Sequence, residues 1–515
     1  MGCRTCRARH VKCDETPGAC KNCASAGWNC SGYEMTRLSH PSQGRRMTDR
    51  SVSLLPRMGV SLPGGSSDER RGFAFFLSQT IPNLTGFFDS SLWSGLVLPM
   101  SHAERAVNHA VVAISALHED METRGAPLAR EDLMNRRQRF ALEQYGRSLA
   151  VLNQRRHSQD PKLREVILTC CLLFVAFDLM RGHYDPAILH LKQGLAIITE
   201  VSHSTGDSKA PGGVDAIAKS LSAAMARLDV QSIFFQGGPI LEPAPGDYVA
   251  SVNITSGFGT LHEARVALDE TLCHVIHFLK AVYVVPTEDR LACYQPQLEE
   301  RRRRILSHFT DYLSQLKSSS DSLLYPADAK EQRGIDLIYL HWITYFILID
   351  TSLAGEEEAV FKVLFPRFKR MLFLSKKVAD SFLEDGKPGF RPTMLLDMGI
   401  IAPLFLVCWR CHDVETRARA LEMLEAWPHR EAMWDSRFLV LFAKQLLATE
   451  LALEFESAQS ASQDSLETPK APARVQDIGM QLSDDQTHVT FYYRRKEPGQ
   501  AALKQQKVVP LDEND

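Results

Sequence analysis

The sequence lacks long hydrophobic runs. Its longest uncharged apolar run, Leu337 to Ile349, has 13 residues, whereas a helix needs about 20 to cross a bilayer. The opening residues, MGCRTCRARH, are charged and lack the apolar segment of a secretory signal. We therefore expect no transmembrane helix and no export. The expected compartment is intracellular, where cysteines stay reduced and a dense group of them binds metal more often than it forms disulfides.

Cysteine is also scarce over most of the chain, but not at its start. Six of the 12 cysteines fall within the first 30 of 515 residues. The first 50 residues carry nine Lys and Arg against four Asp and Glu, a net charge of +5, and the whole chain carries −3, which leaves −8 for the remainder. A small, basic, cysteine-rich head therefore precedes a large, mildly acidic body.

The head cysteines follow the spacing C-x2-C-x6-C-x6-C-x2-C-x6-C, in which the second half repeats the first. The six are Cys3, Cys6, Cys13, Cys20, Cys23 and Cys30. Each C-x2-C pair can chelate one cation, and tetrahedral zinc suits thiolates best. Two zinc ions with four ligands each need two bridging thiolates when only six are present, and the repeat makes Cys3 and Cys20 the simplest pair. A single zinc with two free thiols and a redox-active pair are the alternatives.

A segment of about 30 residues is too small to fold by burial of apolar surface alone, so zinc would supply most of its folding free energy. The stretch Cys-x2-Cys-Arg-x-Arg-x-x-Lys-Cys-Asp, from Cys3 to Asp14, together with the three later cysteines, resembles the fungal Zn2Cys6 binuclear-cluster DNA-binding domain. The resemblance covers residues 1 to about 35. It implies that the first and fourth cysteines bridge the two metals, in agreement with the repeat.

The two halves of the repeat differ in charge. The first loop has cations at Arg7, Arg9 and Lys12, whereas the matching positions 24, 26 and 29 are neutral. Because the metal scaffold does not need this difference, it indicates that the first half alone meets a polyanion. The usual docking mode of such modules places a helix in the major groove of DNA, where a cation can donate hydrogen bonds to guanine.

The resemblance implies a role for each residue of the basic run. Arg9 and His10 would approach the bases of a CGG triplet, and Arg7 and Lys12 would lie near phosphates. His10 departs from the lysine that is more frequent in the family, and neutral histidine donates one hydrogen bond where lysine donates three. This departure weakens the expected CGG preference. The alternative is that the basic run is a solvated face or a nuclear import signal.

Beyond the head, residues 36–70 are rich in Ser, Arg, Gly and Pro, and they predict a flexible linker. No leucine heptads follow the head, so the geometry of a homodimer is left open. From 71 to 456 apolar residues recur every three or four positions, which predicts an all-α domain. Nine helices are expected, at Ala106–Glu119, Arg139–Gln154, Lys162–Met180, Pro186–Val201, Val214–Phe235, Leu261–Val284, Leu298–Lys317, Ile335–Leu353 and Glu358–Phe382.

The body also resembles a family. The stretches RSLAVLNQ, ILTCCLLFVAFDLMRGHYDPAILHLKQGLAII and APLFLVCWRCHDVETRARALEMLEAWPHREAMWD resemble fungal-specific transcription factor domain 2, which often follows this finger. The fold class expected is thus a small zinc-organised binuclear cluster domain followed by a large all-α domain. Residues 457–515 are polar, contain one strand-like piece, HVTFYY, and predict a mostly disordered tail that offers a surface to coregulators.

Two further features have a structural and a functional interpretation. Cys408-Trp409-Arg410-Cys411-His412 has the spacing of a c-type haem site, but that chemistry needs export, and buried cysteine packs as a small hydrophobe. The apolar segments Val166–Phe177 and Leu337–Ile349 could line a pocket for a small-molecule effector, although packing in the core explains them as well. We favour the structural interpretation of both.

These patterns favour a nuclear, zinc-dependent, sequence-specific regulator of transcription by RNA polymerase II that binds double-stranded DNA. A zinc or redox enzyme is disfavoured, since no G-x4-G-K-[ST] loop occurs and Ala-Arg-Val follows His262-Glu263. Zinc sites made of cysteine alone also leave no open position for a substrate. Met1-Gly2-Cys3 suggests a lipid-anchored signalling protein, but myristoylation prefers Ser or Thr where Cys6 stands.

Overall fold

A computed structural model of the chain divides into two compact units, residues 1–60 and 61–515, and each unit is described by itself. The predicted linker lies largely outside the described residues. The described residues are 5–6, 9, 11–14, 16, 20–27, 30, 65–128, 132–160, 162–204, 214–236, 257–284, 288–319, 326, 328–353, 358–384, 391–461, 475–483, 487–495 and 503–511.

The first unit contains a short helix, α1 (Lys21–Ser25), that begins directly after Cys20. The second unit begins with α2 (Ser67–Phe75), a few residues before the predicted domain start at 71. Ser66 caps this helix reciprocally. The Glu69 amide donates to Ser66 Oγ at 3.2 Å, and the Ser66 amide donates to the Glu69 carboxylate at 2.8 Å. Such a capping box satisfies two amides that the first helical turn leaves unpaired.

Helices make up most of the described part of the second unit. After α2 the chain passes through a π-helical segment, Phe76–Thr80, and α3 (Ile81–Leu84), then a second π-helical segment, Leu92–Val97. The helices that follow are α4 (Leu98–Ala103), α5 (Arg105–Thr123), α6 (Arg136–Gln154), α7 (Leu163–Met180), α8 (Tyr184–Ser204), α9 (Val214–Gln236), α10 (Leu261–Val284), α11 (Glu288–Lys317), α12 (Ala329–Thr351), α13 (Glu358–Glu384), α14 (Ile401–Arg410), α15 (Val414–Ala426) and α16 (Ser436–Ala461).

All nine predicted helices are present. The bounds of α10 agree with the prediction at both ends. The largest difference is α11, which begins at Glu288 and continues through Pro296 rather than starting at Leu298. Proline ordinarily ends or kinks a helix, so sequence periodicity alone places the start after it.

The helices enclose two apolar cores. The first is built mainly on α5, α7 and α8, and the second on α10 to α16. Residues 166–177 lie in the first core and residues 337–349 in the second, and both segments are mostly buried. A helix that is apolar on all sides is expected at such a central position. Core packing therefore accounts for both segments that we considered as the lining of an effector pocket.

A small sheet contributes to both cores, with Met394 in the first and Leu395 and Trp434 in the second. Strands β1 (Met394–Leu395), β2 (Arg430–Glu431) and β3 (Trp434–Asp435) are two residues each, too short for an alternating pattern to reveal them. The carboxylate of Glu431 is fully buried and accepts the amides of Gly399, Ile400 and Ile401 at 2.8 to 3.0 Å. It thereby satisfies the free amides around the start of α14.

The described residues of the segment expected to be a mostly disordered tail include three strands. Residues 476–510 contain an antiparallel sheet of β4 (Gln476–Leu482), β5 (His488–Arg495) and β6 (Leu503–Pro510), with β5 in the middle. The strand-like piece HVTFYY forms β5, whose Phe491 is fully buried against Phe442 with 5.3 Å between ring centroids. Ile478, Met480 and Leu482 alternate along β4, a strand signal that the sequence analysis did not use, whereas β6 is polar over residues 504–507.

Among the helices of the described residues, none combines the length and the apolar character that crossing a bilayer requires. This agrees with the 13-residue limit of the longest uncharged apolar run.

Candidate metal centre and nucleic-acid interface

Three head cysteines converge in the first unit. Their Sγ atoms lie within 4.8 Å of one another, with Cys6 Sγ 3.6 Å from that of Cys20 and 3.7 Å from that of Cys23. All three side chains are fully buried. Three buried thiols at this spacing form a donor set that suits zinc.

Helix α1 brings two of these thiols together. Cys20 is its N-cap, and Cys20 Sγ accepts a hydrogen bond from the Cys23 amide at 3.3 Å. Side chains three residues apart in a helix lie on one face, so the C-x2-C spacing at this position yields a bidentate pair. Gly27 follows with a φ of +69°, a left-handed conformation that favours glycine after a helix.

Two of the remaining head cysteines, Cys13 and Cys30, are partly buried beside this group. Cys13 and Cys30 pack against the buried three, and the Cys20 amide donates to Cys30 Sγ at 3.4 Å. Cys13 also lies with Cys20 in a second group of close donor atoms. Cys3 lies outside the described residues. The five described cysteines therefore meet in one place, and their chemistry fits a zinc cluster.

Asp14 holds the two halves of the head together, a role that the sequence analysis did not assign. Its carboxylate accepts the hydroxyl of Thr16 and the amides of Lys21 and Asn22, the latter two at 3.1 and 3.3 Å. The Thr16 hydroxyl and then these amides lower the pKa of Asp14 to about 2. The carboxylate thus caps α1 from the first half of the repeat. The position of Asp14 directly after the third cysteine is the sequence signal that could have indicated this capping role.

The basic run follows a helical turn. Thr5 and Cys6 are helical, and the Arg9 amide donates to the Thr5 carbonyl at 3.1 Å. Arg9 is half-buried and Lys12 is exposed. Arg7 and His10 lie outside the described residues. In the second half, Ala24 and Ala26 are exposed and neutral, so the charge difference between the halves reaches the surface.

The C-x2-C-H segment of the body lies in the core. Cys408 and Cys411 are fully buried, and burial raises the pKa of Cys408 to about 12. The His412 ring stacks on Phe361 with 4.5 Å between centroids. A thiol with such a pKa stays protonated and unreactive at neutral pH. The structure therefore supports packing rather than haem attachment or redox chemistry for this motif.

Two families match the chain. Residues 1–38 match the fungal Zn(2)-Cys(6) binuclear cluster domain, and residues 73–242 match the fungal specific transcription factor domain. No solved structure matches the chain.

Curated relatives are fungal transcription regulators. The aspercryptin biosynthesis cluster-specific transcription regulator atnN of Emericella nidulans is 25% identical over 45% of this chain and 40% of its own length. The transcription regulator lscL of Purpureocillium lilacinum is 28% identical over 38% of this chain and 48% of its own length. The Zn(2)-C6 fungal-type transcription factor afumD of Aspergillus fumigatus is 29% identical over 23% of this chain and 31% of its own length. The chain thus spans less than half the length of each of these relatives.

The cysteine cluster and the helical body together define a transcription-factor architecture rather than that of an enzyme. More specifically, the chain carries a fungal Zn2Cys6 binuclear cluster domain followed by a fungal-specific transcription factor domain. The binuclear cluster implies two zinc ions. Thiolates from both halves of the head would hold the zinc, and the bound metal would stabilise the fold of the head.

Proposed function

We propose that the chain is a nuclear, zinc-dependent regulator of transcription by RNA polymerase II that binds specific DNA sequences through its head. The observation that carries the proposal is the convergence of Cys6, Cys20 and Cys23 beside the helical turn that leads into Arg9. A rigid cluster at this position would fix the direction of the following cations, as recognition of base edges requires. The names of the matched relatives support the same role.

We propose that all six head cysteines are zinc ligands and that Cys3 and Cys20 bridge the two ions. The surroundings of Cys20 support its proposed role as a bridging ligand. It belongs to both groups of close donor atoms, one with Cys6 and Cys23 and the other with Cys13. A thiolate shared by two metals has to lie near the ligands of both, and Cys20 does so.

The proposed DNA contacts come from the first half of the head alone. Arg9 and His10 would approach the bases of a CGG triplet, and Arg7 and Lys12 would contact phosphates. The exposed Lys12 and the half-buried Arg9 fit this division, because a phosphate contact needs only an accessible charge, whereas base recognition needs a held side chain. Two copies of the chain would bind as a homodimer where two triplets occur together.

The proposed organisation assigns one role to each segment. Residues 1–35 would bind DNA, residues 36–70 would form a flexible linker, and residues 71–456 would form the regulatory helical domain. Residues 457–515, which include the β4–β6 sheet, are the segment for coregulator contact.

The direct test is selection of bound sequences from a random pool of DNA duplexes by the full zinc-loaded chain. We expect enrichment of CGG-like triplets, singly or as spaced pairs, and loss of enrichment with Cys20→Ala. Pairs at a fixed spacing would support a dimer. Enrichment that is absent, or equal for the wild type and Cys20→Ala, would contradict the proposal.

A further inference from the structure

Helix α13 carries an exposed basic surface on the otherwise acidic body. Its outer side presents Val363, Lys369, Arg370, Phe373, Lys376 and Lys377, all of them exposed. We call these six residues the α13 basic face. Val363 is 75% exposed and Phe373 is 55% exposed, so both large apolar side chains are accessible to a partner.

The inner side of α13 is firmly anchored. Phe361, Leu364, Phe368, Met371 and Val378 are each at most 3% exposed and belong to the second core. Their spacing of three and four residues is that of one helix face. The exposed apolar residues are therefore not needed to fold the helix, and the outer side is presented in a fixed geometry.

Direct ion pairs to body carboxylates occur at the C-terminal end of the α13 basic face, and farther along it the pKa of Asp413 is lowered mainly by Thr416, with a contribution from the charge of Lys369. Lys376 pairs with Asp380 at 2.5 Å, and Lys377 pairs with Asp336 at 2.9 Å. Lys369 and Arg370 have no carboxylate within ion-pair distance in the described part of the chain. Instead, Lys369 Nζ lies 4.5 Å from the centroid of the Phe365 ring, and Arg370 Cζ lies 4.9 Å from that of Phe373.

We propose that the α13 basic face binds an acidic amphipathic helix of a partner protein. Carboxylates of that helix would pair with Lys369 and Arg370, and its apolar side chains would cover Phe373 and Val363. Recognition of a helix by side chains at three- and four-residue spacing is a common mode of peptide binding. The site is independent of the DNA contacts proposed for the head.

The exposed apolar residues distinguish this partner from two other anions. A DNA backbone would use the cations, but it offers no apolar surface to cover Phe373 and Val363. A membrane surface would need a broad apolar side facing the lipid, and the broad apolar side of α13 is buried in the core. An acidic amphipathic helix satisfies the charges and the apolar groups together.

Fluorescence anisotropy with the full-length chain tests the proposal. The probe is a labelled synthetic helix with Glu and Asp on one side and Leu and Phe at three- and four-residue spacing. A peptide of the same composition, with its apolar residues dispersed, is the control. We expect saturable binding of the amphipathic peptide, weakened about tenfold or more by Lys369→Glu with Arg370→Glu and by Phe373→Ser.

Matched variants guard against a general loss of charge or folding. Arg303→Glu with Arg304→Glu reverses two exposed cations on α11, and Leu189→Ser removes an exposed apolar residue on α8. Neither should change the affinity, and thermal unfolding should show that every variant folds. No binding by the wild-type chain, equal binding of both peptides, or equal loss in the matched variants would overturn the proposal. Displacement of the peptide from this face by a random-sequence duplex or by anionic phospholipid vesicles would overturn it as well.

Discussion

The Sγ atoms of Cys6 and Cys20 lie 3.6 Å apart, although 14 positions separate them in the chain. Each belongs to a different half of the cysteine repeat, so their proximity shows that the halves fold onto each other around shared donors. Asp14 reinforces this arrangement from the first half, since its carboxylate accepts amides of α1. Both halves thus contribute residues to the cysteine group, whereas the basic run lies in the first half alone.

The first prediction concerns the division of labour within the basic run. We expect Arg9→Ala to reduce discrimination between CGG sites and sites with one changed base, because a bidentate contact to guanine is worth about 1–3 kcal/mol of discrimination. Lys12→Ala should instead weaken binding to all sequences and reduce the salt dependence of affinity by about one unit of slope. Titrations of labelled duplexes at several salt concentrations measure both effects.

Lys21→Ala is the control for these variants, because Lys21 is an exposed cation in the second half of the head. It should alter affinity much less than Lys12→Ala. Equal losses for all three variants on every duplex would show that the head acts only through its net charge.

A second prediction follows from a buried carboxylate in the first core. Burial raises the pKa of Asp178 to about 7, and Arg181 opposes the shift. Asp178 Oδ1 lies 3.5 Å from Arg181 Nη1, and Oδ2 lies 3.6 Å from His190 Nε2, which also contacts the Tyr145 hydroxyl at 2.9 Å. Burial lowers the pKa of His190, so the imidazole gives the carboxylate little compensating charge at neutral pH.

The sign of the effect follows from linkage. With a folded-state pKa above the unfolded value of 3.8, Asp178 contributes stability that is fully present below about pH 4 and is lost as the pH rises through about 7. Asp178→Asn should therefore gain free energy of unfolding relative to wild type between pH 5 and pH 8, by about 3 kcal/mol. Thermal unfolding across this range tests the prediction, with the exposed Glu200→Gln as the control. A pH-independent difference would contradict the assignment.

A third prediction concerns a buried ion pair that joins α15 to α16. Arg417 Nη2 and Glu450 Oε2 lie 2.5 Å apart, with each side chain 5% exposed. Arg417 Nε also donates to the Cys408 carbonyl at 2.7 Å, and Glu450 Oε1 accepts the Val475 amide at 3.3 Å. Breaking such a pair leaves a charge buried without a partner, so Arg417→Met or Glu450→Leu should each cost about 3–5 kcal/mol.

The double variant Arg417→Met with Glu450→Leu separates the charge effect from packing. It should lose clearly less stability than the two single variants combined, because neither charge is then left alone. Denaturant unfolding of the four proteins gives the coupling free energy. Additive losses would show that the pair is not coupled in the folded chain.

The helices could be predicted well because their signal is local. Apolar residues at three- and four-residue spacing determine which side of a helix is buried, and α10 shows the same bounds in sequence and structure. The donor set of the head is equally local, since the cysteine spacing dictates which thiols can chelate together. Cys6, Cys20 and Cys23 meet as that spacing suggests.

Features that depend on distant contacts could not be predicted in the same way. Asp14 caps α1 only because the helix folds back against it. Glu431 accepts the amides of residues 399–401 only because the tertiary fold brings the two segments together. Strand β6 is polar over residues 504–507, and it is held by backbone pairing to β5 rather than by an apolar pattern of its own. Such interactions leave little trace in a single sequence.

The zinc content of the full chain tests the central claim most directly. Mass spectrometry under native conditions counts the metal ions bound to each folded chain. The account predicts two zinc ions per chain, because six thiolates that share bridging ligands complete two tetrahedral sites. One zinc ion per chain, with two head thiols free to react with an alkylating reagent, would contradict it.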